Sequence, residues 1–351
     1  MLINDWISEA HKRSARVPAI SICIPVYNGE RFLHRAFDGL AQQTFQDFEV
    51  VLVDDGSRDE TAAKARALLD HYGIQGRVLV TRNRGCEQAR DLACSLARSG
   101  IIAPFDCDDS WKRTYLQEML SALQSNKKIG LVYCDFVEEF TATGRTELKS
   151  AVATWIDLSL ATRTDDLYQF PRGAFFTMLL RGQVLFPPCT MFRRELFEKV
   201  GRYSGTLPDL RISLDWSFGL RAARAGTIAF LKRPLLRKYV HGENVSGDVI
   251  KTAGSSVTVL ESMLSDATLA PDELILIRQG IASRLRSIAY ERWDARRERW
   301  AAFALALKSM RYQWSKRSVV IALLTMLPFS VVELLRRFRS RGAGSAVMAA
   351  E

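Results

Sequence analysis

The chain has 351 residues and a hydrophobic fraction of 48%, which is typical of a globular protein with one large domain and an appendage. Its six cysteines are scattered without a C-x-x-C pair, which argues against a zinc finger or a disulfide framework and favours a reducing compartment. The net charge of +10 is concentrated in residues 278–341, which contain fifteen Lys or Arg residues against four Asp or Glu residues.

From residue 19 onwards, apolar runs alternate with amphipathic segments. The predicted strands are 19–24, 48–53, 77–81 and 101–105, and the predicted helices between them are 31–43, 61–72 and 87–98. Apolar strands that are joined by amphipathic helices indicate a parallel sheet with helices on both faces, an α/β fold. Ligands of such sheets bind beyond the carboxyl ends of the strands.

Acidic residues follow two of these strands directly. Asp54-Asp55 closes the run 48–53, and Asp106-Cys107-Asp108-Asp109 follows the run 101–105. Carboxylates at one tight turn suit a hard divalent ion that keeps open positions for substrate phosphates. The pattern therefore predicts a metal and nucleotide site at the strand ends, although a solvated acidic turn also explains the D-x-D sequence taken alone.

The pattern weakens between residues 136 and 187, which we interpret as loops with a hairpin turn at 141–145. Predicted helices follow at 195–200 and 214–225. Asp215 lies near the start of the second helix, where the helix N-terminus favours a carboxylate. A solvated or capping aspartate is the alternative interpretation.

The C-terminal region combines basic residues with a short apolar stretch. Residues 318–332 are apolar, lie between Lys316-Arg317 and Arg336-Arg337, and have Tyr312 and Trp314 beside them. At fifteen residues with a proline inside, the stretch is short for a spanning helix, and an interfacial or re-entrant segment on an anionic membrane fits better. A terminal helix that packs on the rest of the protein is the alternative, and the missing RNA-binding signature argues against nucleic acid.

Four segments together resemble glycosyltransferase family 2 in their order and spacing. They are 21–30 (SICIPVYNGE), 43–61 (QTFQDFEVVLVDDGSRDET), 83–90 (NRGCEQAR) and 106–109 (DCDD). The resemblance extends to about residue 245, roughly two thirds of the chain. It implies a GT-A fold, which is a Rossmann-like, mostly parallel sheet with flanking helices, followed here by a helical basic and apolar C-terminal extension. It also implies a nucleotide-sugar donor, Mg²⁺ or Mn²⁺, and inversion at the anomeric carbon.

The resemblance assigns the nucleotide to the first two strand ends. It places Pro25, Val26 and Tyr27 against the nucleobase and ribose. Asp54, with Asp55 beside it, would accept a hydrogen bond from the base. Because a carboxylate can accept from the uracil ring N–H, a UDP-sugar is the favoured donor.

The diphosphate and the metal ion are assigned to the later motifs. Asp106 and Asp108 would be the D-x-D pair, one on the ribose and the other on the metal ion, and Asp109 could share the metal role. Arg90 matches a basic position near the donor, where a guanidinium suits phosphate oxygens. His241 aligns loosely with a late histidine of the family, and is either a metal or diphosphate contact or a structural residue.

Asp215 matches the catalytic base, which takes the proton of an acceptor hydroxyl while that oxygen attacks C1 of the sugar. The sequence nominates no nucleophile for a retaining route. Two positions depart from the family: Leu214 precedes Asp215 where Glu is usual, and Asp91 stands where Asn is common. The first departure removes a neighbour that would help to position the base.

The resemblance divides the chain by function. The expected regions are an N-terminal extension (1–17), a nucleotide-sugar-binding half (18–135), an acceptor-side half (136–250) and a helical membrane-associating region (251–351). The expected acceptor is a glycan or a lipid-linked hydroxyl in cell-surface polysaccharide synthesis. Because residues 1–18 contain no signal-peptide hydrophobic stretch, we expect a cytoplasmic enzyme that is peripheral on the inner face of the membrane.

Two alternatives stay open. A nucleotidyltransferase shares the sheet and the acidic metal site, but it would usually carry a glycine-rich loop with Arg or Lys after the first strand, which residues 25–30 lack. A non-catalytic, membrane-associated scaffold could keep a nucleotide-sugar-binding fold. The retained residues Asp106, Asp108 and Asp215 argue against a loss of catalytic activity.

Overall fold

The computed structural model describes residues 2–7, 16–205, 207, 209–241 and 248–327. The chain divides into two compact units, Met1–Val245 and Ser246–Glu351. The first unit combines a sheet with helices, and the described part of the second is helical.

The strands of the first unit are, in chain order, β1 (Leu2–Ile7), β2 (Ile20–Val26), β3 (Phe48–Asp54), β4 (Gly76–Thr81), β5 (Ile101–Pro104), β6 (Ser110–Trp111), β7 (Ile129–Phe140), β8 (Arg145–Leu148), β9 (Thr162–Thr164), β10 (Leu167–Phe170), β11 (Thr190–Arg193) and β12 (Thr227–Val240). Its helices are α1 (Glu30–Ala41), α2 (Thr61–His71), α3 (Cys86–Leu96), α4 (Tyr115–Gln124), α5 (Lys149–Val152), α6 (Ala174–Arg181), α7 (Arg194–Lys199) and α8 (Leu214–Ala225). Short 3₁₀ helices lie at Leu158–Leu160 and Pro187–Cys189. The second unit contains α9 (Val249–Met263), α10 (Pro271–Asp294), α11 (Arg299–Tyr312) and α12 (Lys316–Met326).

Within the described residues, the strands form one sheet in the order β1-β4-β3-β2-β5-β11-β7-β12-β10-β9, with β6 paired to β12 and β8 paired to β7. Strands β4, β3, β2 and β5 are parallel neighbours. The connections between them run through α1, α2 and α3, which confirms the predicted α/β arrangement with flanking helices.

The central parallel strands are buried along their whole length. Every residue of β2 and β3 is buried, which explains their near-continuous apolar sequences. The polar exceptions satisfy one another: Ser21 Oγ donates to Glu49 Oε1 (2.6 Å), and Glu49 also pairs with Arg98 (2.7 Å). A buried carboxylate is tolerated here because it has both a hydrogen bond and an opposite charge.

The structure adds strands that the sequence analysis did not predict. Strand β11 lies between β5 and β7 and is antiparallel to both, and the long strand β12 runs parallel to β7. Strand β12 was not predicted because Lys232, Arg233 and Pro234 interrupt the alternation of apolar and polar residues in its sequence. The pairing register with β7 is also irregular at this point. The hairpin turn predicted at 141–145 is confirmed between β7 and β8.

The helical character predicted for the C-terminal extension is confirmed for its described residues. Helices α11 and α12 form an antiparallel pair: the hydroxyl groups of Ser309 and Ser318 are hydrogen-bonded at one end (2.9 Å), and Arg299 Nε donates to the carbonyl of Thr325 at the other (2.9 Å). Among the described residues, no helix combines the length and the apolarity that crossing a membrane requires. Residues 328–332 of the predicted apolar stretch lie outside the described residues.

Candidate functional site

The carboxyl ends of β2 and β3 meet at one edge of the sheet. Val26 stands opposite Asp54 in the parallel register, and the amide of Asp55 donates to the carbonyl of Val26 (2.8 Å). Pro25 and Val26 are buried, whereas the side chain of Tyr27 is 46% exposed. The residues predicted to contact the nucleobase and ribose therefore lie together, with Tyr27 facing outward.

Hydrogen bonds connect the loop after β2 to the loop after β3. Asn28 adopts a left-handed backbone conformation (φ 49°), which asparagine tolerates better than most residues. Its amide donates to Ser57 Oγ (2.8 Å), and its side-chain oxygen accepts from the amide of Arg58 (2.9 Å). Asp54 Oδ1 accepts from the amide of Ser57 (2.8 Å), so the buried carboxylate of Asp54 is fixed by the same loop.

Asp55 connects the end of β3 to the start of α3. Its Oδ1 accepts from the amide of Arg84 (2.8 Å) and its Oδ2 from the amide of Gly85 (2.7 Å). Gly85 has a φ of 107°, a conformation that a side chain would strain. Both oxygens of Asp55 are thus engaged by the backbone that leads into α3, the helix that carries Arg90.

Arg90 lies at the centre of a buried charge cluster. Its guanidinium donates to Asp106 Oδ1 (2.7 Å), pairs with Glu87 Oε2 (2.5 Å), and lies over the ring of Tyr203 at 5.6 Å from the centroid. Burial lowers the pKa of Arg90, but the negative charge of Asp106 and other neighbours outweighs that effect and raises it. The guanidinium therefore stays charged and fixes Asp106 at the end of β5.

The sequence analysis missed Glu87. Burial raises the pKa of its carboxyl to about 7; the charge of Arg90 opposes this shift, and the charge of Asp215 adds to it. The available signal was its i, i+3 spacing from Arg90 on the predicted helix, which places the two side chains side by side.

Asp108 faces a histidine that directly follows β12. His241 Nε2 lies 3.2 Å from Asp108 Oδ2, and the imidazole stacks on Phe32 at 5.8 Å between ring centroids. Burial and the charge of Asp106 raise the pKa of Asp108, while the contact with His241 lowers it. Asp109 is buried, and its Oδ1 accepts from the amide of Tyr239 on β12 (3.1 Å), so this carboxylate joins the D-x-D turn to β12.

A cleft of about 450 Å³ opens beside Asp108 and is within the size range of small-molecule sites. Its lining residues are Arg31, Phe32, Arg35, Asp108, Thr141, Tyr239 and His241. Arg35 lies over the ring of Tyr239 (4.3 Å to the centroid) and donates to the carbonyl of Asp108. Arg31 and Arg35 form a basic wall of the cleft, next to the carboxylate of Asp108.

Asp215 lies at the first turn of α8, close enough to Arg90 for their charges to interact. Its Oδ1 accepts from the amide of Trp216 (2.7 Å) and its Oδ2 from the side-chain amide of Gln183 (3.3 Å). Burial raises the pKa of Asp215, and the Trp216 bond, Arg90 and the Gln183 bond oppose that shift. A carboxylate with a raised pKa and two orienting donors is suited to accept a proton.

Gln183 is a polar neighbour of Asp215 that comes from another part of the chain. Leu214 is fully buried in the core, so the residue before Asp215 contributes packing instead of a polar neighbour. Gln183 lies in the stretch where the sequence pattern is weak, and no local signal identifies it.

Of the three residues predicted to hold a divalent ion, Asp108 and His241 lie side by side, whereas Asp109 is buried and bonded to the amide of Tyr239. Across the part of the chain that the structure describes, no group of three or more His, Cys, Asp or Glu side chains is arranged to hold a metal. An ion that shares a diphosphate needs only one or two protein ligands, because phosphate oxygens and water complete its shell. The carboxylate and imidazole pair at 3.2 Å is compatible with such an ion.

Comparisons with known proteins agree with this arrangement. A family model described as "Glycosyl transferase family 2" matches residues 21–201. The chain is 27% identical over 228 residues to the putative glycosyltransferase EpsH of Bacillus subtilis, a stretch that covers 64% of this chain and 61% of EpsH. The chain thus spans about three fifths of the length of that relative.

Solved structures show the same fold. TarS (residues 1–349) of S. aureus in complex with UDP-GlcNAc superposes with a TM-score of 0.60 at 15% identity and covers 86% of this chain and 83% of that one. The mannosyltransferase PcManGT of Pyrobaculum calidifontis, in complex with GDP-Man and Mn²⁺, has a TM-score of 0.56 at 19% identity over 95% of this chain and 85% of its own. The predicted GT-A fold is therefore confirmed.

Proposed function

The chain belongs to glycosyl transferase family 2, and on this premise we propose that it transfers a sugar from a nucleoside diphosphate to a hydroxyl group, with inversion at the anomeric carbon. The observation that supports this most strongly is the ion pair of Arg90 with Asp106 at the end of β5, close to an Asp215 carboxylate that Gln183 and the amide of Trp216 orient. The family assignment also disfavours a nucleotidyltransferase.

A UDP-sugar is the proposed donor. The carboxylate of Asp54, fixed by Ser57 at the end of β3, accepts a hydrogen bond from the uracil N–H, and Tyr27, Pro25 and Val26 border the base and ribose. Asp55 supports this subsite by holding the backbone that leads into α3. The structural relative TarS has been solved with UDP and with UDP-GlcNAc.

Asp108 and His241 would hold Mg²⁺ or Mn²⁺ at the donor diphosphate, and Asp109 would support them by joining the D-x-D turn to β12. When bound, such an ion neutralises charge that develops on the leaving diphosphate. Arg90 holds Asp106 in position and adds a permanent positive charge close to the same group. The complex of PcManGT with Mn²⁺ supports a divalent ion in this fold.

Asp215 is the proposed general base. Its carboxylate, oriented by Gln183 and the amide of Trp216, accepts the proton of the acceptor hydroxyl. The acceptor oxygen forms a bond to C1 on the face opposite the nucleotide, and the bond from C1 to the diphosphate breaks with its electron pair on the diphosphate. A positioned base contributes roughly 10²–10⁴ in rate.

The proposed acceptor is a hydroxyl of a glycan or of a lipid-linked saccharide, used in cell-surface polysaccharide synthesis at the cytoplasmic face of a membrane. The basic character of residues 278–341 supports that location, since anionic lipids attract such segments.

A donor panel tests the proposal. The purified chain is incubated with UDP-, GDP- and dTDP-sugars and Mn²⁺, with and without lipid-linked acceptors, and the release of each nucleotide is measured. We expect acceptor-dependent release of UDP. Failure to release any nucleotide across the panel would contradict the proposed transfer.

Calorimetry tests the metal ion separately. UDP should bind tightly with Mn²⁺ and weakly in EDTA, and Asp108→Ala should reproduce the EDTA result in the presence of Mn²⁺. Asp70→Ala, at the exposed C-terminal turn of α2, is the matched control and should bind like the wild type. Equal affinity in Mn²⁺ and EDTA would exclude the metal role while leaving the donor role in place.

A further inference from the structure

Helices α11 and α12 bury their small residues. The buried positions repeat at i, i+4 and i+7 on both helices: Ala302, Ala306 and Ser309 on α11, and Ser318, Ala322 and Thr325 on α12. The hydroxyl groups among them are satisfied locally, since Ser309 donates to the carbonyl of Ala306 and Thr325 to that of Ala322, both at 2.7 Å. Close packing through small residues and hydroxyl groups is common where helices meet in lipid.

Some of the large apolar side chains of this hairpin are exposed, while others, such as Phe303, Ile321 and Leu324, pack against the buried small residues. We define the apolar outer face as Trp300, Leu307, Trp314, Val320, Leu323 and Met326, which are between 44% and 72% exposed. On α12, Val320 and Leu323 lie on the opposite side of the helix from Ser318, Ala322 and Thr325. A helix whose apolar residues served only to pack on a protein core would bury the residues of the apolar outer face as well.

Cations border the apolar outer face. Lys308 and Arg311 are exposed on α11, and Lys316 and Arg317 are exposed at the start of α12. Lys316 is in the same i, i+4, i+7 row as Val320 and Leu323. Long basic side chains that border an apolar row can place their charges at lipid headgroups while the row enters the acyl region.

We propose that the apolar outer face of α11 and α12 inserts into the surface of an anionic lipid bilayer, with both helices in the interface. An anionic membrane suits both the apolar outer face and the cations that border it. Its hydrocarbon would surround Val320 and Leu323, and its negative headgroups would attract the basic side chains. Exposed tryptophans such as Trp300 and Trp314 are favoured at the boundary between headgroups and hydrocarbon. The inference rests on the proposed membrane location of the enzyme and is independent of its chemistry.

The test compares two matched double variants of the full chain. Val320→Glu/Leu323→Glu changes residues of the apolar outer face that are 52% and 62% exposed. Val17→Glu/Leu160→Glu makes the same substitutions at residues of the first unit that are 59% and 50% exposed. The two variants have the same composition and net charge, so only the position of the glutamates differs.

Partitioning onto phosphatidylcholine vesicles with 30% phosphatidylglycerol is measured by co-sedimentation at low and high salt. We expect the wild type and the Val17/Leu160 control to bind alike, and binding to weaken but persist as salt rises. The Val320/Leu323 variant should lose at least about tenfold in partition coefficient, because two apolar side chains no longer enter the lipid. Equal partitioning of both variants, or no binding of the wild type at low salt, overturns the proposal.

Two further measurements separate the alternatives. If light scattering without lipid shows a dimer that the Val320/Leu323 variant dissociates, the face is covered by a second copy and the proposal is wrong. Circular dichroism of both variants should match the wild type, since the changed residues are exposed. Binding of UDP is measured on the same samples, so that a failure of the proposed donor site is distinguished from a failure of lipid binding.

Discussion

The carboxylate of Asp215 receives hydrogen bonds from two donors, and one of them comes from a different part of the fold. The amide of Trp216 is its neighbour in the chain, while Gln183 precedes it by 32 residues. The side-chain amide of Gln183 donates to Oδ2 and so orients the carboxylate without adding a second negative charge. This contact gives the proposed base a polar neighbour, which Leu214 in place of the usual glutamate does not supply.

Asp215→Asn should bind the donor normally and lose transfer. The amide is similar in size but cannot accept the proton, so turnover should fall by roughly 10²–10⁴. The measurement pairs UDP calorimetry with nucleotide release under saturating acceptor. A variant that keeps more than a few per cent of wild-type turnover would refute the role of Asp215 as the base.

Glu87 makes stability depend on pH. Its pKa is raised to about 7 in the folded protein, above its ordinary value of 4.5, so protonation favours the folded state. This contribution is fully present below about pH 4.5 and is lost as pH rises through 7, which amounts to roughly 3 kcal/mol. Glu87→Gln has no carboxyl to titrate and should lack this part of the pH dependence.

Urea unfolding at several pH values between 4.5 and 8 measures the effect as a difference between the wild type and Glu87→Gln. The wild type should lose stability relative to the variant as pH rises. A difference that stays constant across the range would show that the carboxyl of Glu87 is not perturbed by burial.

At the scale of elements, Asp91 ties α3 to the turn that follows α7. Its Oδ1 accepts from the amide of Tyr203 (2.7 Å), and its Oδ2 accepts from the amide (2.9 Å) and the hydroxyl (2.5 Å) of Ser204. All three groups donate, so both side-chain oxygens must accept. This explains why an aspartate stands where asparagine is common in the family.

Asp91→Asn should therefore destabilise the protein. The side-chain NH₂ group would face a backbone donor and leave it unpaired, at a cost of about 1–3 kcal/mol. Urea unfolding at neutral pH measures the loss, with Asp165→Asn in the exposed turn between β9 and β10 as the control, which should stay within about 0.5 kcal/mol of the wild type. A loss no greater than that of the control would contradict this account.

At the scale of the whole molecule, the two units differ in chemistry. Residues 21–201, which match the family, lie within the first unit, while the basic segment 278–341 lies within the second. The first unit buries the large apolar residues of its central strands, and the second exposes large apolar residues on α11 and α12. The proposed lipid binding is thus assigned to the second unit alone, and the vesicle experiment tests it without reference to turnover.

The sequence by itself determined the parallel half of the sheet and the edge at which the site lies. Residues 48–55 and 101–109 show apolar runs that end in carboxylates, and parallel strands bring such ends together by topology alone. The local sequence is sufficient for this part of the prediction, because each strand and the acidic residues at its end are adjacent in the chain.

Only the tertiary structure decided the contacts between distant residues. Asp108 and His241 are 133 residues apart, and Gln183 and Asp215 are joined across a stretch with little periodicity, so no local pattern predicts either pair. The same holds for β11, whose position between β5 and β7 depends on pairing with strands far away in the chain. The outward orientation of Val320 and Leu323 likewise required the structure, because an apolar stretch has the same sequence whether its large residues face a protein core or lipid.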